Sequence, residues 1–322
     1  MPIYIDKDDD ITPYIVGIKL SNGTKYEFNY ETLKNRPCFN DEDSIETYLE
    51  ETVIPVAPSS NAYLTFSSDA PFTLGCVDDG DWRRPAWDGI LEYSTDAETW
   101  TQWNGSAAIS SGADNEIHLR GTRNTSFAPL DEAEGYSPWF TNFDIQGTSG
   151  VACSGNIETL LDYATVERGE HPEMGKCCFD DLFNGCTSLI TAPELPATTL
   201  SIGCYGSMFM NCTSLTTAPQ LPATTLAEGC YSYMFFGCTS LTTALQLPAT
   251  TLADYCYEYM FGGCTSIKVS ETQTSEYTTP YRIPSEGTGV DAQNALNDMF
   301  SDTGGIFTGT PTINTTYYLA VN

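Results

Sequence analysis

Basic residues are scarce in this chain of 322 residues, which has 13 Lys and Arg against 43 Asp and Glu and a formal net charge of −30. Nucleic-acid binding depends on basic side chains that neutralise phosphates, so this balance argues against a nucleic-acid partner. Attraction to anionic membrane surfaces is disfavoured for the same reason. The chain has two histidines, His118 and His171, and its cysteine spacing matches no usual zinc ligand set. We therefore expect no metal and no cofactor.

Long apolar runs are also absent. No stretch of about 18 apolar residues occurs, so the sequence predicts no membrane insertion. The segment Met1 to Asp10 has neither the basic start nor the apolar core of a secretory signal, and we expect the chain to stay in the cell that makes it. In a reducing cytosol its 12 cysteines are expected to remain thiols. Common catalytic motifs are missing as well, so no catalytic residue is predicted.

What the chain does contain is a repeat of 26 residues. Two columns of cysteine recur at this interval, Cys178, Cys204, Cys230 and Cys256, and Cys186, Cys212, Cys238 and Cys264. Apolar residues at helical spacing predict a short helix within 227–237, and the Thr-rich segment 240–243 predicts a short strand. Parallel strands lie about 4.8 Å apart and helices about 10 Å apart, so we expect the units to stack and curve. Phe209, Phe235 and Phe261 are predicted core residues.

The chain before the repeat predicts β structure. Short alternating segments from Asn61 to Gly147, separated by turn residues, predict a small all-β sandwich. Within the first 58 residues, a hairpin at Asn22-Gly23 and a short helix at 41–52 are predicted. The expected fold class is α+β, with a leucine-rich-repeat-like solenoid as its last part. The predicted domains are an N-terminal attachment module at 1–58, a β-sandwich at 59–150, and the solenoid with its caps at 151–322.

The repeated motif resembles a known family. Met-Phe-x-x-Cys-Thr-Ser-Leu, followed by Leu-Pro-Ala-Thr-Thr-Leu and Cys-Tyr, is similar to the BspA-type leucine-rich repeats of Bacteroidetes surface proteins and of their crAss-like phages. Residues 155–162 resemble the entry cap of that family, and 299–311 resemble its exit. Because family members are implicated in adhesion, host binding and virion decoration, the resemblance implies a role without catalysis.

Three functions are consistent with these features. The leading hypothesis is a phage virion structural or host-binding protein, a fibre, decoration or tail component, assembled in the bacterial cytoplasm and attached to other virion proteins through residues 1–58. The alternative is a bacterial adhesin-like or scaffold protein, at the cell surface or in the cytoplasm. A polysaccharide depolymerase is the third, since its two carboxylates leave no sequence signature. A homo-oligomer is common in fibres, but no feature specifies the oligomeric state.

A candidate binding face follows from the charge pattern of the repeats. Between Thr187 and Cys264 there is no Lys or Arg. Hydroxyls both donate and accept hydrogen bonds, so a Thr-rich face suits a host-surface glycan or a protein partner better than an ionic ligand. Strand propensity alone would also place Thr at exposed positions. The predicted binding residues are Thr191, Thr216, Thr217, Thr242 and Thr243, with Tyr231 and Tyr257 at the edges of the face.

Overall fold

The computed structural model describes residues 63–77, 87–127, 141–148 and 150–320, together with the backbone of three N-terminal strands. The chain divides into two compact units, Met1–Ser59 and Ser60–Asn322. The predicted helix at 41–52 and the Asn22-Gly23 turn lie outside the described residues.

The first unit contains one antiparallel sheet of three strands, β1 (Ile3–Ile5), β2 (Ile15–Lys19) and β3 (Lys25–Asn29), in the order β1-β2-β3. Ile15 lies opposite Asn29 and Lys19 lies opposite Lys25. The antiparallel pairing predicted for these two segments is therefore confirmed.

The described part of the second unit contains three sheets. Its strands are β4 (Leu64–Ser67), β5 (Thr73–Cys76), β6 (Ile90–Ser94), β7 (Thr101–Trp103), β8 (Ile109–Ser110), β9 (Glu116–Thr122), β10 (Phe143–Gln146), β11 (Val151–Ser154), β12 (Leu189–Thr191), β13 (Val269–Ser270), β14 (Tyr277–Arg282) and β15 (Thr316–Ala320). The strand orders are β12-β11-β4-β9-β6-β7, β10-β5-β8 and β13-β15-β14. Because β11 and β12 follow residue 150 and join strands that precede it, one sheet spans the predicted boundary at that residue.

The hydrophobic core runs from these sheets into the repeats. Phe66 of β4 and Phe143 of β10 meet edge to face, with ring centroids 5.9 Å apart. Phe143 also contacts Phe183 at 5.5 Å, and Phe183 stacks on Phe209 of the next repeat at 5.3 Å. All four rings are at most 1% exposed. The first repeat is therefore anchored on the sheets by aromatic packing.

The predicted fold class is wrong. The chain is mostly β, and its described part has a single helix, α1 (Thr159–Glu167), which lies outside the repeats. No helix-plus-strand solenoid is found: segment 227–237 is a succession of turns, and 240–243 forms no strand. Gly203, Ser207 and Asn211 show the cause, because their φ angles are +60°, +48° and +60°. A left-handed residue at every fourth position is incompatible with a right-handed helix.

Hydrogen bonds between repeats replace those of the predicted helices. We call 203–213, 229–239 and 255–265 the turn segments. Alternate N–H groups, as in Tyr205 and Phe209, donate to the carbonyls of Cys230 and Met234 in the following segment at 3.0 and 2.9 Å. The N–H groups between them close turns within their own segment. Backbone hydrogen bonds therefore set the distance between neighbouring turn segments, as they do between neighbouring strands. The wider distance between packed helices, from which we expected the strand side to be concave, is absent.

Identical side chains stack in columns inside the turn segments. Phe209, Phe235 and Phe261 are each 0% exposed, which confirms their prediction as core residues. Phe235 lies between the other two, at centroid distances of 5.7 and 5.8 Å and with interplanar angles of 3° and 8°. Each repeat therefore contributes one layer to a continuous aromatic column.

The second cysteine column has a specific role in this packing. The thiols of Cys212, Cys238 and Cys264 donate to the main-chain carbonyls of Phe183, Phe209 and Phe235, each 29 residues earlier, at 3.0–3.1 Å. A thiol is small enough to be buried and still offers a weak donor. This pairing gives a physical reason for cysteine, rather than another small apolar residue, at every copy of the position. The eleven described cysteines are free thiols.

No helix in the described part of the chain is both long enough and apolar enough to cross a membrane.

Candidate functional site

The predicted binding threonines form a row across successive repeats. Thr191 ends β12 and is joined to Thr217 of the next repeat by an isolated parallel bridge. Leu215 and Leu241 are buried, and the two residues after each of them are exposed. The same pattern of one buried residue followed by two exposed residues is present in β12. All five predicted positions are exposed: Thr191, Thr216, Thr217, Thr242 and Thr243. We call them the first threonine row.

The hydroxyls of this row differ in whether they already have an interaction partner within the protein. Thr216 Oγ1 donates to the main-chain carbonyl of Ile190 at 3.4 Å, and Thr242 also has an interaction partner. The side-chain hydroxyls of Thr191, Thr217 and Thr243 have no hydrogen-bond partner among the described residues. These three groups, one in each repeat, remain available to a ligand.

Tyr231 and Tyr257 do not lie at the edge of this face. Both are buried, each 1% exposed; Tyr231 stacks on Tyr205 and Tyr257 stacks on Tyr231, each at a centroid distance of 5.9 Å. Burial is also the main cause that raises the pKa of both phenols well above the ordinary value. Their place is in the aromatic core, so the exposed face consists of threonines without these two tyrosines.

A second threonine row was missed by the sequence interpretation. It consists of adjacent exposed pairs in three repeats, Thr198 and Thr199, Thr224 and Thr225, and Thr250 and Thr251. Isolated parallel bridges join Thr199, Thr225 and Thr251 in sequence. The sequence feature that could have revealed this row is the repeated motif Leu-Pro-Ala-Thr-Thr-Leu. Its Leu and Ala are buried and its first Thr is exposed, as in an extended segment. Proline has no N–H, which prevents a continuous ladder and leaves single bridges.

The charge around both rows is low. Segment 187–264 has no basic residue, and its acids are Glu194, Glu228, Asp254 and Glu258. The first three of these are exposed. Among the described residues, no group of three or more His, Cys, Asp or Glu could hold a metal ion. The two rows therefore offer hydrogen-bonding hydroxyls rather than ionic contacts.

The two histidines lie in different surroundings. His118, on β9, is 4% exposed and its Nδ1 is 3.1 Å from Thr65 Oγ1. Burial is the main cause that lowers its pKa. His171 lies in a loop after α1 and its Nδ1 contacts Glu158 at 2.8 Å. Each histidine contacts a different partner, Thr65 or Glu158, and the two histidines do not share a site.

Exposed tryptophan rings are a common platform for sugars, and Trp100 and Trp103 lie close together in the chain. Trp103 is 5% exposed and its Nε1 donates to the main-chain carbonyl of Ala107 at 2.8 Å. The ring of Trp100 is covered by the guanidinium of Arg120, whose carbon lies 3.9 Å from the ring centroid. Arg120 is held there by Glu92 at 2.9 Å. Neither indole is thus an open platform for a ligand.

Comparison with known proteins gives no assignment: no protein family, curated protein or solved structure matches this chain.

Proposed function

We propose that this chain is a non-enzymatic binding protein whose threonine rows contact a neutral glycan on a host surface. The observation that carries the proposal is the recurrence of exposed, chemically identical hydroxyls in successive repeats. The first row supplies Thr191, Thr217 and Thr243, whose hydroxyls have no partner among the described residues. Sugar hydroxyls donate and accept as Thr hydroxyls do, so the two surfaces are matched in hydrogen bonding.

A repeating surface favours a repeating ligand. Parallel bridges join Thr191 to Thr217 in the first row and successive threonines in the second row, so the bridged residues lie about 4.8 Å apart. Each contact alone is weak, because a neutral hydrogen bond contributes only about 0.5–1.5 kcal/mol net. Several equivalent contacts on one polymer act together through their high effective concentration. This arrangement supports a polysaccharide over a small ion as the partner.

The larger setting that we propose is a phage virion, in which the chain is a fibre, decoration or tail component that attaches to other virion proteins through residues 1–58. The support is the resemblance of the repeated motif to the BspA-type repeats that crAss-like phages also carry. The alternative is a bacterial adhesin-like or scaffold protein. Mass spectrometry of purified particles, and separately of the cell-surface fraction, from a strain that carries the gene distinguishes the two. Recovery only in the surface fraction would overturn the virion proposal.

The glycan-binding face is tested with a double variant, Thr217→Lys and Thr243→Lys. Long cationic side chains cover the hydroxyls of the first row and add charge where the ligand has none. The probe is an array of purified neutral polysaccharides, namely glucans, mannans, galactans and xylans. We expect at least one to bind the parent, and its affinity to fall about ten-fold or more in the variant, equivalent to the loss of about 1.4 kcal/mol.

The matched control places the same two charges outside the rows, on the repeat of Thr243 and on the repeat after it. Thr239→Lys and Thr265→Lys are also 26 residues apart, and both threonines are exposed. The control should bind like the parent, and both double variants should keep its thermal stability. Equal binding by all three proteins, or binding of no polysaccharide by the parent, would refute the proposed face.

A further inference from the structure

A pocket lies at the start of the second threonine row. It has a volume of about 450 Å³ and is bounded by the loop 171–174 on one side and by 197–201 on the other. Glu158, the residue before α1, also lines it. Small-molecule sites in proteins have volumes of roughly 300–1,000 Å³, so this pocket is in the range for a single small ligand.

A hydrogen bond between Glu158 and His171 shapes the polar part of the pocket. Glu158 is 1% exposed, and its Oε2 and Oε1 lie 2.8 and 3.0 Å from Nδ1 of His171. A carboxylate accepts hydrogen bonds, so Nδ1 carries the proton. The side chain of His171 is 54% exposed. The contact of Nδ1 with Glu158 holds the imidazole ring in a fixed orientation. Its Nε2 has no partner among the residues that the structure describes, so this nitrogen is available to a ligand hydroxyl.

The rest of the lining combines hydroxyls with apolar surface and one further carboxylate, that of the exposed Glu173. Thr198, Thr199 and Ser201 supply hydroxyls, and Met174 and Leu200 supply apolar groups. A sugar ring has polar edges and an apolar face, so it can use both kinds of group at once. The carboxylate of Glu158 is already engaged by His171, which disfavours this buried charge as a partner for a cation.

The pocket and the second row are continuous, because Thr199 both lines the pocket and forms the first bridge of the row, to Thr225. We propose that the pocket binds one neutral sugar residue, the end of a glycan whose following residues lie along Thr225 and Thr251. This inference rests on the proposed glycan-binding function and specifies where the chain end of the glycan is held.

The test uses the full chain and free sugars. Saturation-transfer NMR is recorded with glucose, galactose, mannose, fucose and N-acetylglucosamine, and with glucosamine as a cationic comparison. We expect at least one neutral sugar to receive saturation from the protein. Thr198→Val with Thr199→Val removes two pocket hydroxyls while keeping the side-chain shape, and should weaken that sugar about ten-fold, as expected when one or two hydrogen bonds are lost.

Two further variants locate the effect. Thr239→Val with Thr265→Val makes the same change at two exposed threonines outside the pocket and outside both rows, and should leave monosaccharide affinity unchanged. His171→Asn keeps an amide N–H near the position of Nδ1–H and removes Nε2, and should also weaken the sugar about ten-fold. Thermal denaturation checks that each variant is folded.

Each outcome has a defined meaning. The pocket proposal is overturned if no neutral sugar binds, if glucosamine alone binds, or if the pocket and control variants bind equally well. If polysaccharide binding by the parent is lost only with Thr217→Lys and Thr243→Lys, the pocket proposal fails and the proposed function stands. If monosaccharides bind in the pocket while no polysaccharide binds, the glycan-binding face fails and the pocket stands.

Discussion

Truncation of one ring in the aromatic column should destabilise the protein strongly. Phe235 is fully buried and is stacked on Phe209 and Phe261 at 5.7 and 5.8 Å. Phe235→Ala leaves a cavity between two rings held by backbone hydrogen bonds to their neighbours. Truncation of a buried Phe costs about 3–5 kcal/mol, and two stacked pairs worth about 0.5–1.5 kcal/mol each move the expectation to about 4–5 kcal/mol.

The assay is urea denaturation followed by circular dichroism, with the slope checked for a change in the amount of surface exposed on unfolding. In a unit of this size, a loss of 4–5 kcal/mol corresponds to a fall in Tm of about 8–20 °C. The matched control is Phe236→Ala, because Phe236 is the next residue, has the same chemistry and is only half-buried, in contact with Tyr233 and Tyr259. It should cost less than half as much. A cost for Phe236→Ala equal to that for Phe235→Ala would refute the assignment of the column to the core.

Three other predictions follow from the turn segments. Ser207→Gly should stabilise the protein by about 1 kcal/mol in thermal denaturation, because φ is +48° at this residue, whereas glycine within a helix would destabilise it by a similar amount. Burial raises the pKa of Cys204 and of Cys264 to about 12, so a thiol reagent at pH 8 should leave these cysteines unmodified until denaturant is added; disulfide-linked peptides by mass spectrometry would contradict this. Burial, and secondarily Asp181, raises the pKa of Asp180 to about 8. The folded chain therefore holds a proton there that the unfolded chain releases near pH 4, and stability should fall by up to about 1.4 kcal/mol per unit as pH rises from 4 to 8, a loss that Asp180→Asn should remove from the pH profile of Tm.

The sequence correctly indicated that Phe209, Phe235 and Phe261 are buried, but not the backbone that buries them. Cys230, Met234 and Cys238 are four residues apart, a spacing that an α-helix and a series of four-residue turns both satisfy over a short distance. Four helical residues turn the chain by about 400°, so a strict four-residue spacing drifts by about 40° each time. In addition, Tyr231 and Phe235, each next to a buried residue, are themselves buried. Adjacent buried pairs at a constant spacing of four were the feature that distinguished the turns from a helix.

The positive φ angles were only partly visible in the sequence. Gly203 and Asn211 are residue types that favour the left-handed region, and they occupy two of the required positions in one turn segment. Ser207, between them, gives no such signal, and the equivalent position in the next segment is Tyr233, whose φ is +55°. At these positions the hydrogen bonds between repeats determine the backbone conformation, and those contacts are not encoded by any local pattern.

The candidate site was predictable only where a pair of polar residues follows a buried apolar residue. Thr216 and Thr217 follow a buried Leu, and their exposure could be inferred from the sequence. Tyr231 and Tyr257 were placed at the surface because tyrosine often combines an apolar ring with a solvated hydroxyl. Stacking of equivalent residues on one another overrides that tendency in this chain, since every copy of the position faces the same column.

The bridges between repeats explain why threonine occurs at some positions of the second row but not at others. Thr199, Thr225 and Thr251 sit at parallel bridges, where a β-branched residue is favoured by the extended backbone. Their preceding neighbours, Thr198, Thr224 and Thr250, are exposed and lie outside these bridges. A second threonine in every repeat is therefore not required by pairing. Valine at the unbridged positions keeps the shape and removes only the hydroxyl, so a loss of ligand without a loss of stability there would assign these threonines to binding.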